Sequence, residues 1–365
     1  MTVGPRPPRV LLLTSSPLDG ADGSDVQLAR EVLGALPQVD FLWFSQRPGR
    51  RGLPVASAGR AIPLWSRDGA PHASVRVQAA LAGAFAARHA DLVHAFLTIG
   101  RTYPAFSWLR PVLLGARPVV HTVPGVMDAR LLARSRPLGT TVALSESMAR
   151  RLHAANFGDV RVIPPMIPLE VWPCLPRPPG LPLVLFSGHH DPQGGAVTAI
   201  EAAAEAVRAG AEFRLVLAMR GRPGQHTRTL EEELRERAGA AGLRDVEVHG
   251  YVDDMNALLA SAHVLLFPPP AIGGTADIPL TVLQALATGR PVILSDLPQF
   301  ADFGDAVLRA PAGDGRRTGQ QLAWLLDQPR VWDMLAERGR AAVEERFGPE
   351  RFAARYGALY RELLA

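Results

Sequence analysis

The chain has 365 residues, 47% hydrophobic and 20% charged, which is enough for two domains of ordinary size and excludes a disordered chain. Its net charge of +4 permits contact with phosphates or an anionic surface, but no basic stripe with interleaved aromatic residues supports a nucleic-acid partner. The single cysteine excludes a disulfide within the chain. No apolar run reaches the ~18–20 residues of a transmembrane helix, and the first residues, MTVGPRPPR, lack the apolar core of a signal peptide. We therefore expect a cytoplasmic protein, with peripheral membrane contact left open.

The first half of the chain alternates short apolar runs with helical patterns. Arg9–Thr14 predicts a buried strand, Asp25–Leu36 a helix and Val39–Phe44 the next strand. This opening is typical of a doubly wound α/β sheet with parallel strands. The alternation continues with a helix at Val75–His89, a strand at Asp91–Phe96, a strand and loop at Pro118–Val126, a strand and Ser145-capped helix within Thr141–His153, and a strand within Val160–Ile167.

The second half repeats this pattern after a proline-rich segment. Eight prolines between Pro164 and Pro182 predict a stiff linker. A second parallel sheet then follows, with strands at Leu183–Ser187, Leu215–Ala218, Val246–Val248, Val264–Phe267 and Val292–Leu294, and helices at Ala196–Ala209, Leu230–Ala240 and Met255–Ala262. We predict an N-terminal domain at 1–172, a C-terminal domain at 173–346 and a C-terminal helix at 347–365.

The stretch GGTADIPLTVLQALATGRPVILSD, from Gly273 to Asp296, predicts a loop, a helix, a tight turn and a strand. A helix start presents unpaired N–H groups and a partial positive charge, so it can hold a phosphate. An ordinary α/β crossover is the alternative interpretation of these residues.

This stretch, with VEVHGYVDDMNALLASAHVLLFPPP upstream of it, resembles the donor-site signature of retaining GT-B glycosyltransferases of family 4, the glycosyl transferases group 1. The resemblance implies two Rossmann-like doubly wound domains facing across a cleft, with the C-terminal helix crossing back to the first domain. It implies transfer of a sugar from a nucleotide-sugar donor, with retention of configuration and without a metal or cofactor. We expect a UDP- or GDP-sugar as donor and a small-molecule or lipid-linked acceptor.

The resemblance also assigns donor-side residues. His189 and Gln193 occupy the positions of the family's phosphate-binding Arg and Lys, and Arg220 could supply the missing charge. The family's two signature Glu positions hold Ala276 and Gln284 here, which leaves Asp277 as the candidate for binding sugar hydroxyls. The predicted donor-binding residues are Gly188, His189, Gln193, Gly194, Arg220, Tyr251, Val252, Asp277, Ile278, Pro279, Leu280, Thr281 and Gln284.

Asp277 and His121 are the candidate catalytic residues. The family's histidine near the transferred sugar aligns with Pro124, and His121 lies three residues earlier, where strand alternation could bury it. The predicted acceptor-side residues are Gly23, Ser24, His94, Phe96 and Pro124. No metal ligands are expected, because His189, His190 and Asp191 are contiguous in a turn-like loop.

Two alternatives stay open at this point. Replacement of the usual Arg, Lys, Glu and His positions suits a catalytically impaired GT-B protein that acts as a binding or scaffolding partner. A different GT-B chemistry, sugar phosphorolysis or nucleotide-sugar isomerisation, is the other. The sequence does not select the donor base, the acceptor or the oligomeric state.

Overall fold

The computed structural model describes residues 6–20, 23–47, 59–65, 73–189, 194–220, 227–250, 252–271 and 278–365. These form two compact units. Unit 1 contains the described residues up to Met166 together with Pro349–Ala365, and unit 2 contains the described residues from Ile167 to Gly348. The chain therefore passes from one unit to the other after Met166 and again after Gly348.

Unit 1 is built on a parallel sheet whose seven described strands lie in the order β3-β2-β1-β4-β5-β6-β7. Its central strands are apolar and buried on both faces, as parallel strands covered by helices must be. The strands are β1 (Arg9–Thr14), β2 (Asp40–Gln46), β3 (Arg60–Trp65), β4 (Leu92–Phe96), β5 (Val119–Val123), β6 (Thr140–Ala143) and β7 (Val160–Val162).

Helices cover the two faces of this sheet. Side chains from α1 and α12 share one hydrophobic cluster, and side chains from α2, α3, α4 and α5 share another. The helices are α1 (Ser24–Ala35), α2 (Ala73–Ala87), α3 (Tyr103–Leu114), α4 (Ala129–Ala133), α5 (Glu146–Ala154) and α12 (Pro349–Leu364).

Unit 2 repeats the plan with six described strands in the order β10-β9-β8-β11-β12-β13. The strands are β8 (Leu183–His189), β9 (Arg214–Arg220), β10 (Val246–His249), β11 (Val264–Phe267), β12 (Val292–Ser295) and β13 (Leu308–Ala310). The helices are α6 (Ala196–Arg208), α7 (Thr227–Ala240), α8 (Met255–Ser261), α9 (Leu280–Ala287), a 3-10 helix (Pro298–Phe303), α10 (Gly315–Leu326) and α11 (Pro329–Phe347).

The doubly wound α/β class is confirmed. Strands β1 and β11 begin and end where the sequence predicts, and Ser145 caps α5 by accepting a hydrogen bond from Met148 N–H at 3.0 Å. Helix α3 has no counterpart among the predicted elements, because Pro111 lies inside it. The guanidinium of Arg110 fastens the end of α3 by donating to three backbone carbonyls, those of Gly115, Arg117 and Leu138.

The C-terminal helix α12 packs on the sheet of unit 1, as the resemblance implied for the end of the chain. Phe352, Tyr356 and Tyr360 are buried in one cluster with side chains of α1 and β4. Gly348 separates α12 from α11, whose Phe347 instead stacks on Phe303 in unit 2 with ring centroids 5.9 Å apart. The aromatic residues at the end of the chain are therefore divided between the two units.

The second part of the proline-rich segment is fastened to unit 2 by one buried arginine. Arg290 is only 1% exposed, and its guanidinium donates to the carbonyl oxygens of Leu259, Ala260, Leu175 and Pro176 at 2.8–3.3 Å. Burial lowers the pKa of Arg290 to about 10. The planar five-donor fork of arginine fits this arrangement of carbonyls, which an ammonium group could not match.

We predict that Arg290→Met lowers the free energy of unfolding by at least about 3 kcal/mol, because the buried carbonyls lose their donors. Urea denaturation of the full chain measures this. Arg338→Met is the control, since Arg338 is half-exposed and pairs only with the exposed Asp305 in the described structure; a surface pair of this kind contributes less than about 1 kcal/mol. Equal effects of the two substitutions would contradict the anchoring role of Arg290.

Candidate functional site

The strand order of unit 2 reverses beside β8. From β8 the chain passes through α6 to β9 on one side, whereas from β11 it passes through α9 to β12 on the other side. Helices that leave neighbouring parallel strands in opposite directions open a crevice at the carboxyl ends of those strands, and ligands of open α/β sheets bind in such crevices. The β8/β11 pair is therefore the candidate site of unit 2.

Helix α6 begins at this crevice with a glycine that no other residue could replace without strain. Gly195 is the N-cap with φ 93° and ψ 0°, and its carbonyl accepts the first helical hydrogen bond from Ala199 N–H at 2.9 Å. A Cβ atom built on Gly195 would lie 2.9 Å from the backbone of Pro268, the residue after β11. The start of α6 is thus pressed against the chain leaving β11.

Helix α9 begins on the other side of the crevice with amides that precede its first internal bond. Pro279 is the N-cap, in extended conformation, and its carbonyl accepts from Val282 N–H at 3.1 Å. The N–H groups of Leu280 and Thr281 come before that bond, in the turn where the helix dipole is positive. The side chains of Leu280, Thr281 and Gln284 are half-buried, and Ile278 is buried in the core of unit 2.

The structure brings several predicted donor residues to the same edge of the sheet. Strands β8 and β9 end together, with Gly188 beside Met219 and His189 beside Arg220 in the strand register. The backbones of Gly188, His189, Gly194, Arg220, Pro279, Leu280 and Thr281 lie at strand ends or helix starts of unit 2, and Val252 packs against its core. The predicted residues Gln193, Tyr251 and Asp277, and the side chains of His189 and Arg220, lie outside what the structure describes.

Unit 1 has a second reversal of strand order, beside β1, which lies between β2 and β4. The loop after β1 is held by Arg30, whose guanidinium donates to the carbonyls of Leu18 and Gly20 at 2.6 and 2.8 Å. Asp25, in the first turn of α1, accepts from the N–H and hydroxyl of Ser15. Two predicted acceptor-side residues, Gly23 and Ser24, lie at this loop, as the N-cap and first residue of α1.

Two further predicted acceptor-side residues lie at neighbouring strand ends of unit 1. Phe96 is the last residue of β4 and is fully buried. Pro124 follows β5 directly and is also buried. The topology therefore collects Gly23, Ser24, Phe96 and Pro124 at one edge of the sheet, while burial limits which atoms of Phe96 and Pro124 a ligand could touch.

His94 is fully buried and its ring nitrogens are both engaged. Nδ1 hydrogen-bonds with the Tyr360 hydroxyl at 2.6 Å and Nε2 with the Thr122 hydroxyl at 2.7 Å, and Thr122 in turn contacts the Tyr356 hydroxyl at 2.9 Å. Burial, with a smaller effect of the neighbouring His121, holds the pKa of His94 well below its usual range. The described structure thus gives His94 a contact with α12, and its predicted acceptor-side role stays a prediction.

His121 is also fully buried, within the other face of the same sheet. Its Nε2–H donates to Leu97 O at 2.8 Å, so Nδ1 is the acceptor; it lies 3.0 Å from the Tyr103 hydroxyl, which also donates to Arg136 O at 3.1 Å. Burial lowers the pKa of His121 to about 4, although the bond to Leu97 opposes the shift. A neutral histidine with both nitrogens occupied cannot exchange a proton without breaking these bonds; its catalytic role stays a prediction.

Glu31 is a buried acid that the sequence analysis did not single out. It lies on α1, only 8% exposed, and its Oε2 atom has no hydrogen-bond partner within the described residues. Burial raises the pKa of Glu31 to about 8, against smaller opposing effects of the Met166 backbone and Gln27. The sequence gives little sign of this, because a Glu in a helix is usually exposed.

Neither a metal site nor a membrane-spanning helix is found among the described residues. No group of three or more His, Cys, Asp or Glu side chains within them is arranged to bind a metal ion. None of the described helices is both long enough and apolar enough to cross a bilayer.

The buried titratable groups of unit 1 predict that stability is greatest near pH 6.5. Below that pH the unfolded chain protonates its histidines, whereas folded His94 and His121 stay neutral, His121 down to about pH 4. Two histidines outweigh the one opposing carboxyl of Glu31, so stability falls as the pH falls. Above pH 4.5 the unfolded chain ionises Glu31 while the folded state keeps its proton up to about pH 8, so stability falls as pH rises. Above pH 6.5 only the Glu31 effect continues.

Glu31→Gln should remove the alkaline decline, so that its stability advantage over the parent chain grows by about 2 kcal/mol between pH 6.5 and 8. Denaturation at a series of pH values measures the difference. Glu337→Gln, on the exposed side of α11, is the matched control and should show no such trend. A parallel decline in the parent and Glu31→Gln would show that another group is responsible.

Gly195→Ala should destabilise the chain more than the same substitution at Gly210. Both glycines have φ near +90°, but a Cβ at Gly210 meets nothing within 4 Å, whereas at Gly195 it meets the Pro268 backbone. The left-handed conformation costs about 1–2 kcal/mol at either position, and the clash adds about 1–3 kcal/mol at Gly195 alone. Chemical denaturation of the two variants tests this, and equal losses would contradict the close approach at the crevice.

The family match of this chain falls within unit 2. Residues 181–328 match the family described as Glycosyl transferases group 1. A phosphatidyl-myo-inositol mannosyltransferase of Mycobacterium leprae is 29% identical over 213 residues, covering 56% of this chain and 53% of its own. An alpha-D-kanosaminyltransferase of Streptomyces kanamyceticus is 23% identical, covering 50% and 46%. The chain thus spans about half the length of these curated relatives.

Solved structures match over nearly the whole chain. HepE of Anabaena, in complex with UDP and glucose, has a TM-score of 0.75 at 13% identity and covers 96% of this chain and 99% of its own. Sucrose-phosphate synthase of Thermosynechococcus elongatus has a TM-score of 0.76 at 19% identity and covers 98% and 99%. At these identities the likeness shows the fold. Residues 181–328 therefore match the glycosyl transferases group 1 family, within a chain that has the GT-B fold.

Proposed function

We propose that this chain is a glycosyltransferase that moves a sugar from a nucleotide-sugar donor to an acceptor, with retention of configuration and without a bound metal. The observation that carries the proposal is the pair of helix starts, of α6 and α9, at the β8/β11 crevice of unit 2. Both lie within the segment that matches the glycosyl transferases group 1.

The chemistry of the donor requires such a site. Cleavage of the glycosidic bond leaves negative charge on the departing diphosphate, and the protein must stabilise that charge as it develops. Two helix dipoles pointing at one crevice supply positive potential, and the N–H groups of Leu280 and Thr281 supply donors that depend on no particular side chain. Gly195 has no side chain to keep a phosphate away from the start of α6.

The names of similar proteins support the donor class. HepE has been solved with UDP and glucose and with UDP-glucose, and the curated relatives are named for transfer of mannosyl and kanosaminyl groups. We therefore assign a UDP- or GDP-sugar to the crevice of unit 2.

Side-chain roles follow from the family resemblance together with the positions described above. Asp277 holds the sugar hydroxyls, Gln284 hydrogen-bonds a ribose hydroxyl and Val252 lines the base pocket beside Tyr251. His189, Gln193 and Arg220 replace the usual cations at the diphosphate. In unit 1, Gly23, Ser24, Phe96 and Pro124 are assigned to a small-molecule or lipid-linked acceptor.

We assign retention of the anomeric configuration to attack by the acceptor on the same face of the sugar from which the diphosphate leaves. The bond from the anomeric carbon to the phosphate oxygen breaks, the bond to the acceptor oxygen forms, and the departing phosphate takes the acceptor's proton. This series of bond changes needs no side chain of the protein to act as a base. It is compatible with a neutral, buried His121 and with the absence of carboxylates at positions 276 and 284.

We predict that one nucleoside diphosphate, UDP or GDP, binds the chain with micromolar affinity in the presence of EDTA. Gln284→Ala should weaken this binding about tenfold, because one hydrogen bond is lost. Gln284→Glu should strengthen it to a similar extent, because a carboxylate gives a charge-assisted bond to the ribose. Isothermal titration with UDP, GDP, ADP and dTDP measures each change.

Gln320→Glu is the control for added charge, since Gln320 is exposed on α10. It should leave the affinity unchanged. Binding that requires a divalent cation would contradict the metal-independent proposal, and no binding by any nucleotide would contradict the donor site itself.

A further inference from the structure

Unit 1 leaves large apolar side chains exposed on two neighbouring helices. On α2 they recur every four residues and so lie along one side of the helix. On α3 they lie within a little more than one turn, and their exposed fractions run from 53% for Leu109 to 83% for Val112. We call these residues the α2–α3 apolar face: Val77, Leu81, Phe85, Trp108, Leu109 and Val112.

The packing of unit 1 does not use the α2–α3 apolar face. Helix α2 already buries Ala86 and Ala87 against the sheet, and α3 buries Tyr103 and Leu114 in the same cluster. Helices α2 and α3 contact each other, so the exposed apolar side chains of both helices belong to neighbouring elements of unit 1. Concentrated apolar exposure of this kind is uncommon on a monomeric globular protein and marks an interaction site.

The segment that carries the face has charges of one predominant sign. Residues 73–140 contain eight Arg and two Asp. Both acids are occupied within the fold, since Asp91 accepts from Arg6 and from the Arg9 backbone, while Asp128 caps α4. Among the side chains that the structure describes in this segment, the exposed cations are Arg88, Arg101, Arg130, Arg134 and Arg136.

One cation–π pair links an arginine of the segment to a tryptophan of the apolar face. The guanidinium carbon of Arg136 lies 3.1 Å from the ring centroid of Trp108, which is 56% exposed. Tryptophan is favoured at the boundary between hydrocarbon and water, where its ring is apolar and its N–H meets headgroups. An arginine stacked on that ring is held where lipid phosphates would lie.

We infer that the α2–α3 apolar face docks on a phospholipid bilayer that carries acidic headgroups. The apolar side chains enter the boundary of the acyl region, and the surrounding arginines meet the phosphates of the headgroups. The excess of exposed arginines in this segment, with Arg136 stacked on Trp108, favours this occupant over an apolar protein surface, because a leaflet with acidic headgroups places dense negative charge beside an apolar interior. The inference does not depend on the donor chemistry proposed for unit 2.

Flotation with lipid vesicles tests the inference on the full chain. Vesicles of 70% POPC and 30% POPG should bind the protein at least about tenfold more strongly than pure POPC, and added salt should weaken the binding. The variant Leu81→Gln, Phe85→Gln, Val112→Gln should lose at least about tenfold in binding. The matched control, Leu181→Gln, Val207→Gln, Trp324→Gln, changes exposed apolar residues of unit 2 and should bind like the parent.

A second measurement, of fluorescence quenching, locates the contact between the protein and the bilayer. Brominated acyl chains in the same vesicles should quench tryptophan fluorescence in the parent but much less in Trp108→Phe. Failure of the parent to bind POPG vesicles, or equal binding by the Leu81, Phe85 and Val112 variant with its melting temperature unchanged, overturns the inference. Self-association of the parent without lipid, abolished in that variant, would also overturn it by making the face an interface between copies of the chain.

Discussion

Every strand pair in the described parts of both sheets is parallel, and the placement of the candidate sites depends on this constraint. Parallel strands cannot be joined by tight hairpins, so each connection carries a crossover segment back over a sheet face. Because crossovers have one hand, the strand order must reverse where the chain changes direction, at β1 in unit 1 and at β8 in unit 2. The crevices at these reversals are thus consequences of the winding. In unit 2 the winding also sets the starts of α6 and α9 at one edge, where their dipoles add.

Both units bury polar side chains that connect separate parts of the chain. Unit 1 buries His94, His121 and Glu31, all of which burial favours in the neutral state, and His94 uses its two nitrogens to connect β5 with α12. Unit 2 buries His263, whose pKa burial lowers, and also a cation, Arg290, which donates to backbone carbonyls that include two of the proline-rich segment. In both units a polar side chain thus fastens a late or connecting part of the chain to the sheet, because leaving these groups unpaired would cost free energy.

Local patterns predicted most of the regular structure. Strands β1 and β11 are continuous apolar runs bounded by polar or proline residues, and α5 starts at a serine cap, so a short window is sufficient for each. Helix α3 escaped prediction because Pro111 lies within it, and tertiary contacts through Arg110 offset that local penalty. The partners of His94 could not be foreseen, since Tyr360 lies 266 positions away in the chain. For the site, the helix from Ala196 and the helix within Gly273–Asp296 were predicted from the sequence, whereas the contact of Gly195 with Pro268 depends on the fold.

The central claim is that a nucleoside diphosphate binds at the helix starts of the β8/β11 crevice. Hydrogen–deuterium exchange of the full chain, with and without saturating UDP or GDP, tests it most directly because backbone amides are the proposed ligands. The account predicts that nucleotide slows exchange in peptides covering the starts of α6 and α9, including Leu280 and Thr281, and leaves α12 unchanged. Nucleotide binding with protection confined to unit 1, or without protection of either helix start, would contradict it.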